Sequence, residues 1–290
     1  MVKPVIRVPC AIWRDGPATR GAATHGQATR GERAIPEETA VAFTFNTASY
    51  AVMMATPQDL EDFAVGFSLT EGVIASADAI DSIEIVEEEV GIELRIWLKA
   101  RDAVEFLGRR RKMAGPTGCG LCGIESLVEA MRPPPQVGEG LSFTPDEIMD
   151  AVNALFPQQM LNQETRAVHA AGFWTPSRGL VAVREDVGRH NALDKLAGAL
   201  VRENATGREG IVVLTSRVSI EMVQKSACIG APIVVAVSAP TGLAVRMAEA
   251  AGMTLVAIAR KDGFEVFTHP HRVALPEQAA PPLRQSPLAG

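Results

Sequence analysis

Short apolar runs alternate with amphipathic segments along the second half of the chain. The runs at 211–214, 233–237 and 254–259 are almost wholly hydrophobic, which is typical of strands buried on both faces. The segments between them, at about 219–229 and 242–251, carry apolar residues at helical spacing. Strands that alternate with helices predict an α/β domain of three layers (α/β/α), in which helices cover both faces of a mixed sheet.

A hairpin and a helix precede these strands. The stretches 167–174 and 179–184 flank a turn that contains proline and serine, so they predict two paired strands. The helix that follows begins near residue 189 and buries a stripe of leucines and alanines. Asp194 and Lys195 lie off that stripe.

The first half of the chain predicts a smaller α+β domain. Apolar residues at 41–45 and 50–54 indicate a hairpin, and polar–apolar alternation at 80–86 and 92–98 indicates two more strands. One helix lies between the two strand pairs.

Two helix starts carry the same capping signal. Thr56 precedes a proline, with apolar residues at helical spacing behind it, and Gly72 is the expected end of that helix. Thr144 precedes Pro145, with Glu147 three positions after the threonine, which is the pattern of a capping box.

The predicted organisation is two domains between flexible ends. Residues 1–35 lack periodicity and are predicted to form a flexible arm. The α+β domain spans 36–132, a proline-rich linker follows, and the α/β domain spans 140–273. The tail at 274–290 is predicted to be flexible.

Composition and charge restrict the function classes. The chain has 290 residues, is 47% hydrophobic and has a net charge of −6, which describes a globular protein and argues against a general binder of nucleic acid or membrane surfaces. The sequence contains no apolar run as long as a membrane span and no apolar secretory segment at its start. Four cysteines do not make a disulfide framework, so we expect a reducing, cytoplasmic location.

The cysteine pair Cys119 and Cys122 is the strongest chemical signal. Glycines surround the pair and predict a mobile loop at 113–123. The cations at 109–112 favour the thiolate, which is the form that attacks sulfur, although they equally fit a solvated helix end. Two alternatives are less favoured. A zinc site is less favoured because the sequence has no second Cys-x-x-Cys. A thioredoxin-like dithiol is less favoured because that motif should begin a helix, whereas this pair lies in a glycine-rich segment.

A second candidate site lies where strands are expected to end. In open α/β sheets, ligands bind at the carboxyl ends of strands, where helix N-termini attract phosphate. The chain lacks a Walker or Rossmann glycine pattern, but a phosphorylated ligand such as a nucleotide fits. Polar residues predicted at these ends are Arg189, His190, Asn191, Arg217, Ser219, Ser238, Thr241 and the run Arg260, Lys261, Asp262, Gly263.

Simpler roles are open for several polar residues. Ser238 and Thr241 fit helix caps, which is compatible with phosphate contact. His190 fits a helix-start residue, and Glu221, on the helix that follows Arg217, fits a structural ion pair as well as it fits a role in the site. Cys228 fits a small buried side chain, and Cys10 fits an incidental residue of the N-terminal arm. His269 and His271 have the spacing of metal ligands but fit surface positions better.

Five sequence blocks together resemble a known family. In chain order they lie at 56–67, 118–123, 185–195, 216–225 and 237–241. They resemble the FdhD-type formate dehydrogenase accessory sulfurtransferases, over roughly residues 40–272. A Cys-x-x-Cys alone is a weak signal, whereas five blocks of this length in the expected order are a specific one.

The resemblance implies a sulfur carrier. Members take persulfide sulfur from a cysteine desulfurase and pass it to the molybdenum bis(molybdopterin guanine dinucleotide) cofactor before that cofactor enters formate dehydrogenase. Cys119 matches the persulfide-bearing cysteine and Cys122 its partner. GDP would mimic the ligand. The resemblance also implies a larger domain with a cytidine deaminase-like fold, a homodimer, and a cofactor-binding stretch at Ile258, Ala259, Arg260, Lys261, Asp262 and Gly263.

The chain departs from the family pattern at two places. Lys261-Asp262-Gly263 stands where Gly-Gly-Arg is usual, and Arg166-Ala167 stands where Gly-Gly is usual, near His169. The zinc signature of deaminases is absent from the sequence, so deamination is not expected. Competing functions are a noncatalytic chaperone for the cofactor and a dithiol redox protein. The sequence does not identify the client dehydrogenase or its metal.

Overall fold

The computed structural model describes residues 2–14, 27–100 and 131–275. The cysteine pair, the cations at 109–112 and the tail at 276–290 lie outside these ranges, so the predictions made for them stay predictions. The described chain forms a six-stranded, a four-stranded and a two-stranded sheet. The predicted mixed α/β architecture is confirmed.

The six-stranded sheet forms the larger unit. Its order is β12-β11-β10-β9-β7-β8. Strands β9, β10 and β11 are parallel to one another, while β7, β8 and β12 pair antiparallel with their neighbours. The strands are β7 (His169–Thr175), β8 (Gly179–Asp186), β9 (Ile211–Leu214), β10 (Ile233–Ala236), β11 (Thr254–Arg260) and β12 (Gly263–Thr268).

Both faces of this sheet are covered, as the continuous apolar runs predict. Along β9, Val212 and Leu214 pack on one face and Ile211 and Val213 on the other, so every residue of the strand is buried. One face carries three helices and the opposite face carries α2. The helices are α2 (Pro145–Leu155), α3 (Met160–Thr165), α4 (Arg189–Arg202), α5 (Ile220–Cys228) and α6 (Gly242–Ala250).

The four-stranded sheet is the core of the first unit. Its order is β4-β3-β6-β5, with β3 and β6 parallel and the other pairs antiparallel. Helix α1 covers one face, where Phe43 stacks on Phe67 with ring centroids 3.9 Å apart. The elements are β3 (Thr39–Phe45), β4 (Ala48–Ala55), α1 (Leu60–Thr70), β5 (Ile80–Glu88) and β6 (Gly91–Leu98).

Helices α1 and α4 join the two units at very close range. A Cβ added to Gly66 of α1 would overlap the carbonyl oxygen of Asp194, and one added to Gly198 of α4 would overlap that of Asp62. The Asp62 carboxylate also accepts hydrogen bonds from Arg184 at 2.5 and 2.8 Å. Glycine at these crossing points lets the two backbones touch.

Two sequence predictions are wrong here. Residues 1–35 are not an arm without regular structure, because β1 (Val5–Arg14) and β2 (Gln27–Pro36) pair as an antiparallel hairpin. Helix α1 begins at Leu60 rather than at Pro57. Thr56 does not cap it, because the Thr56 hydroxyl accepts a hydrogen bond from Val187 N instead.

The other predicted elements are confirmed, including the capping box in which Thr144 and Glu147 bond each other's backbone N–H. The division into domains at 36–132 and 140–273 and the likeness to cytidine deaminases stay predictions. No helix within the described ranges is long and apolar enough to cross a membrane.

Candidate functional site

The carboxyl ends of β9, β10 and β11 lie at one edge of the larger sheet, because the three strands are parallel. The segments after them stay together. Val218 N donates to Ala239 O at 3.3 Å, and Ile258 N donates to Ser238 O at 3.2 Å. The predicted strand ends are therefore neighbours, and the first turns of α4, α5 and α6 lie at this edge.

The first turns of α4 and α5 differ from that of α6. Thr241 caps α6 by accepting a hydrogen bond from Ala244 N at 3.2 Å, so the predicted capping role is observed. Gly188 and Ser219 stand at the N-cap positions of α4 and α5, where the described chain supplies no side-chain cap. Uncapped N–H groups at a helix start are donors that suit an anion.

Four buried polar atoms at these two helix starts have no hydrogen-bond partner in the described structure. They are Arg189 Nε, His190 Nε2, Ser219 Oγ and Glu221 Oε2. Buried polar groups in native proteins are nearly always hydrogen-bonded, so an unpaired cluster points to a missing water, ion or ligand. Arg189, His190 and Ser219, all predicted as ligand contacts, are among them.

Glu221 lies beside His190, which the structure places as the candidate partner for the ion pair predicted for Glu221. The His190 Nε2 to Glu221 Oε2 distance is 3.9 Å, which is too long for a hydrogen bond but close enough for electrostatic attraction. The neighbouring His190 lowers the pKa of Glu221 to about 2, so this carboxylate is charged at neutral pH. The Arg217 side chain is exposed at the rim.

His169 is the second histidine in this region, beside His190. It is the first residue of β7 and pairs with Asp186 across the sheet. Partial burial, with Arg189 and His190 nearby, lowers the pKa of His169. The unusual Arg166 precedes it and occupies the left-handed region at φ 60°, a conformation that favours glycine.

The stretch from Ile258 to Gly263 is the end of β11 and the tight turn into β12. Arg260, Lys261 and Asp262 are exposed, whereas Ala259 is fully buried in the core. Ile258 has φ 54°, which is rare for a β-branched residue, and the pairing of β11 with β12 is irregular between Ala257 and Arg260. This stretch therefore offers the predicted ligand its exposed side chains and its backbone, but not the Ala259 methyl group.

A fully buried carboxylate, Asp186, fixes the turn between β8 and α4. It accepts hydrogen bonds from Gly188 N at 2.7 Å and Asn191 Nδ2 at 2.9 Å. Its other oxygen accepts from Thr56 N at 3.0 Å and Lys195 Nζ at 2.6 Å. Asn191, predicted as a ligand contact, uses its amide hydrogens inside the protein, on Asp186 and on Met54 O.

A second buried network centres on Lys225 of α5. Its Nζ lies 2.8 Å from Asp194 Oδ1, 2.5 Å from Glu71 Oε1 and 3.1 Å from Thr70 Oγ1. Burial alone would lower the pKa of Lys225, but Asp194 and Glu71 raise it above its ordinary value. We therefore take Lys225 as charged and the Asp194 carboxylate as its ion-pair partner.

The remaining candidates lie elsewhere. Cys228 is exposed, so its prediction as a buried residue is wrong. His269 and His271 face different glutamates, Glu249 at 3.7 Å and Glu139 at 3.9 Å. Within the described ranges, no group of three or more His, Cys, Asp or Glu side chains is arranged to hold a metal ion.

Sequence reasoning missed the roles of Thr56, Asp186 and Lys195. One signal was present. Every residue from Asn191 to Leu200 is buried, and the sequence there is dominated by leucine, alanine and glycine. A helix that is hydrophobic almost all round is buried on every side, so its few polar residues must find partners inside the protein.

Comparisons with known proteins identify the family of this chain. The profile of the FdhD/NarQ family matches residues 36–274. Relatives named sulfur carrier protein FdhD include one from Agrobacterium fabrum, 54% identical over 84% of this chain and 90% of its own length, and one from Brucella abortus, 51% identical over 83% and 90%. A third, from Cupriavidus necator, is 50% identical over 82% and 83%.

A solved structure is similar over most of the fold. The crystal structure of a proposed formate dehydrogenase accessory protein from Desulfotalea psychrophila superimposes with a TM-score of 0.65 at 27% sequence identity. The match covers 91% of this chain and 99% of the other. With a family profile that spans the four-stranded and six-stranded sheets and relatives that cover most of the sequence, this chain belongs to the FdhD/NarQ family.

Proposed function

We propose that this chain is a sulfur carrier that serves formate dehydrogenase. It accepts persulfide sulfur from a cysteine desulfurase and transfers it to the molybdenum bis(molybdopterin guanine dinucleotide) cofactor. The names of its relatives and the order of the sequence blocks support this function. The cofactor is the substrate here and is not a resident group of the protein.

Cys119 is the proposed sulfur acceptor. Its thiolate attacks the terminal sulfur of the donor persulfide, the donor S–S bond breaks, and the donor cysteine leaves as a thiolate. Cys119 then carries the persulfide. The four cations at 109–112 support this role, because positive charge favours the attacking thiolate. Cys122 either resolves the persulfide or positions it.

The edge of the larger sheet is the proposed site for the cofactor's guanine dinucleotide arms. Uncapped N–H groups at the starts of α4 and α5 suit phosphate, and the exposed Arg217 and Arg260 supply charge-assisted contacts. The buried, unpartnered Arg189 Nε and His190 Nε2 fit the same anionic ligand as N–H donors. This unpaired cluster is the observation that carries the binding half of the proposal.

The accompanying proposals follow from the family. In this proposal the cysteine loop lies at the end of the 36–132 domain. The cofactor binds to the 140–273 domain, for which we propose a cytidine deaminase-like fold. A homodimer in the cytoplasm is the proposed working form.

Mass spectrometry tests the sulfur step. After incubation with a cysteine desulfurase and cysteine, the wild-type chain should gain one sulfur atom at Cys119. Cys119→Ala should gain none there and should fail to activate formate dehydrogenase in cells, with Cys10→Ala as the matched control. Full activation by Cys119→Ala would reject the proposal.

The main competitor is a noncatalytic chaperone that holds the cofactor for the apoenzyme. The unpaired cluster at the starts of α4 and α5 supports a chaperone as much as it supports a carrier, because both must bind the cofactor. Calorimetry with GDP separates the possibilities when combined with the sulfur assay. Binding of GDP without a persulfide adduct supports the chaperone, whereas reversible oxidation of Cys119 and Cys122 with disulfide reductase activity would support a dithiol redox protein.

A further inference from the structure

The turn between β8 and α4 is held by residues that do not face the proposed ligand. This turn carries Arg189 and His190, two of the proposed contacts. Gly188 N and the Asn191 amide both donate to Asp186 Oδ1, at 2.7 and 2.9 Å. The Asp186 carboxylate therefore fixes the backbone immediately before and within the first turn of α4.

Thr56 extends this support from the first unit of the protein. Its N–H donates to Asp186 Oδ2 at 3.0 Å, its hydroxyl accepts from Val187 N at 3.1 Å, and its carbonyl accepts from Lys195 Nζ at 2.9 Å. All three polar atoms of one buried threonine are thus bonded to the turn or to the helix behind it.

The charges in this network are satisfied but costly to bury. Asp186 and Lys195 have side chains that are fully inaccessible to solvent and lie 2.6 Å apart. Buried ion pairs of this kind are often no more stabilising than apolar residues of the same shape. A role beyond stability therefore has to come from what the pair orients, which is the turn at Val187 and Gly188.

We infer that Thr56, Asp186 and Lys195 are positioning residues that set the orientation of Arg189 and His190 toward an anionic nucleotide. The inference rests on the proposed function, because it takes the edge at α4 as the nucleotide site. It adds residues from the first unit to a site that otherwise belongs to the larger sheet.

The test compares two buried threonines. Thr56→Val keeps the shape and the backbone bonds but removes the acceptor of Val187 N. Thr70→Val is the matched control, because Thr70 is also buried and its hydroxyl serves the separate Lys225 network. The two measurements are GDP affinity by calorimetry and hydrogen exchange of the amides at 187–191.

We expect Thr56→Val to weaken GDP binding about tenfold, the equivalent of one buried hydrogen bond, and to speed exchange at 187–191. Thr70→Val should change GDP affinity less than about twofold, because the Thr70 hydroxyl bonds Phe67 O, Asp194 and Lys225 and not the backbone of the turn at 187–188. Equal effects of the two variants, or faster exchange in Thr56→Val with unchanged affinity, would overturn the inference.

Arg189→Ala separates this inference from the proposed function. If Arg189→Ala weakens GDP binding and Thr56→Val does not, the ligand site stands and the positioning role is wrong. If wild-type protein binds no GDP, or Arg189→Ala leaves the affinity intact, the proposed site is wrong and the positioning role is rejected with it.

Discussion

Replacing Lys225 by methionine should destabilise the protein strongly. The substitution keeps most of the side-chain volume but removes the ammonium group from Asp194, Glu71 and Thr70. Asp194 is then a carboxylate with a side chain 1% exposed, and among the described residues the Thr70 hydroxyl, at 2.5 Å, is its one remaining side-chain hydrogen-bond partner. Glu71 is more exposed and can be solvated, so the cost arises mainly at Asp194.

The expected magnitude follows from that burial. Removing one partner of a buried ion pair typically costs about 3–5 kcal/mol. Domains of this kind are stable by roughly 5–15 kcal/mol, so the loss should be plain in urea unfolding at neutral pH. The double variant Lys225→Met with Asp194→Leu removes both charges and should recover most of the loss.

The pH dependence supplies an independent check. Burial raises the pKa of Asp194, and Lys225 opposes that rise in the wild type. Without Lys225 the folded-state pKa of Asp194 stays above its unfolded-state pKa. The destabilisation by the buried carboxylate is therefore absent below the unfolded-state pKa, grows as the pH rises toward the folded-state pKa, and is complete above it. The stability gap to wild type should therefore narrow below neutral pH. A loss under about 1 kcal/mol at neutral pH, or a gap that does not narrow, would refute the reasoning.

Four further predictions can be checked with purified protein. Gly66→Ala should prevent normal packing of α1 on α4 and lower the thermal midpoint sharply, whereas Gly242→Ala, at an open helix start, should not; equal midpoints would contradict the close crossing. Arg166→Gly should raise the free energy of unfolding by about 0.5–1 kcal/mol because it relieves a left-handed φ, and a loss would contradict that strain. Glu221→Gln should be less stable than wild type at neutral pH, and the difference should vanish as pH falls from about 4.5 to about 2, since a carboxyl with a lowered folded pKa loses its contribution there; a constant difference would argue against the His190 contact. Arg217→Ala should weaken GDP binding by about fivefold and reduce its salt dependence, and an unchanged affinity would remove Arg217 from the site.

The larger sheet was predictable because its signals are local. The runs at 211–214 and 233–237 are short and continuously apolar, and such strands fit only a sheet covered on both faces. The capping box at Thr144 was equally readable, because all of its groups lie within four residues. The edge that gathers Arg189, Ser219 and Ser238 then follows from parallel topology alone.

The interior polar groups could not be predicted, because their partners are distant in sequence. Thr56 has every sign of a helix cap, yet its hydroxyl serves Val187, 131 residues away. The partner of Glu221 could not be identified from the sequence, because the fold brings His190 beside it from a different helix. The hairpin of β1 and β2 has little hydrophobic periodicity because most of its residues face solvent, so its strands leave no pattern to read.

The crossing of α1 and α4 bears on how the protein can be dissected. The proline-rich stretch near 133–135 looks like a natural place to cut, and each piece would keep a sheet of its own. Separation would nevertheless remove the hydrogen bonds from Thr56 to Asp186 and Lys195. It would also expose Gly66 and Gly198, each of which lies against the backbone of the opposite helix in the intact protein. We therefore expect that neither fragment is soluble by itself. We expect co-expressed fragments to associate into one complex.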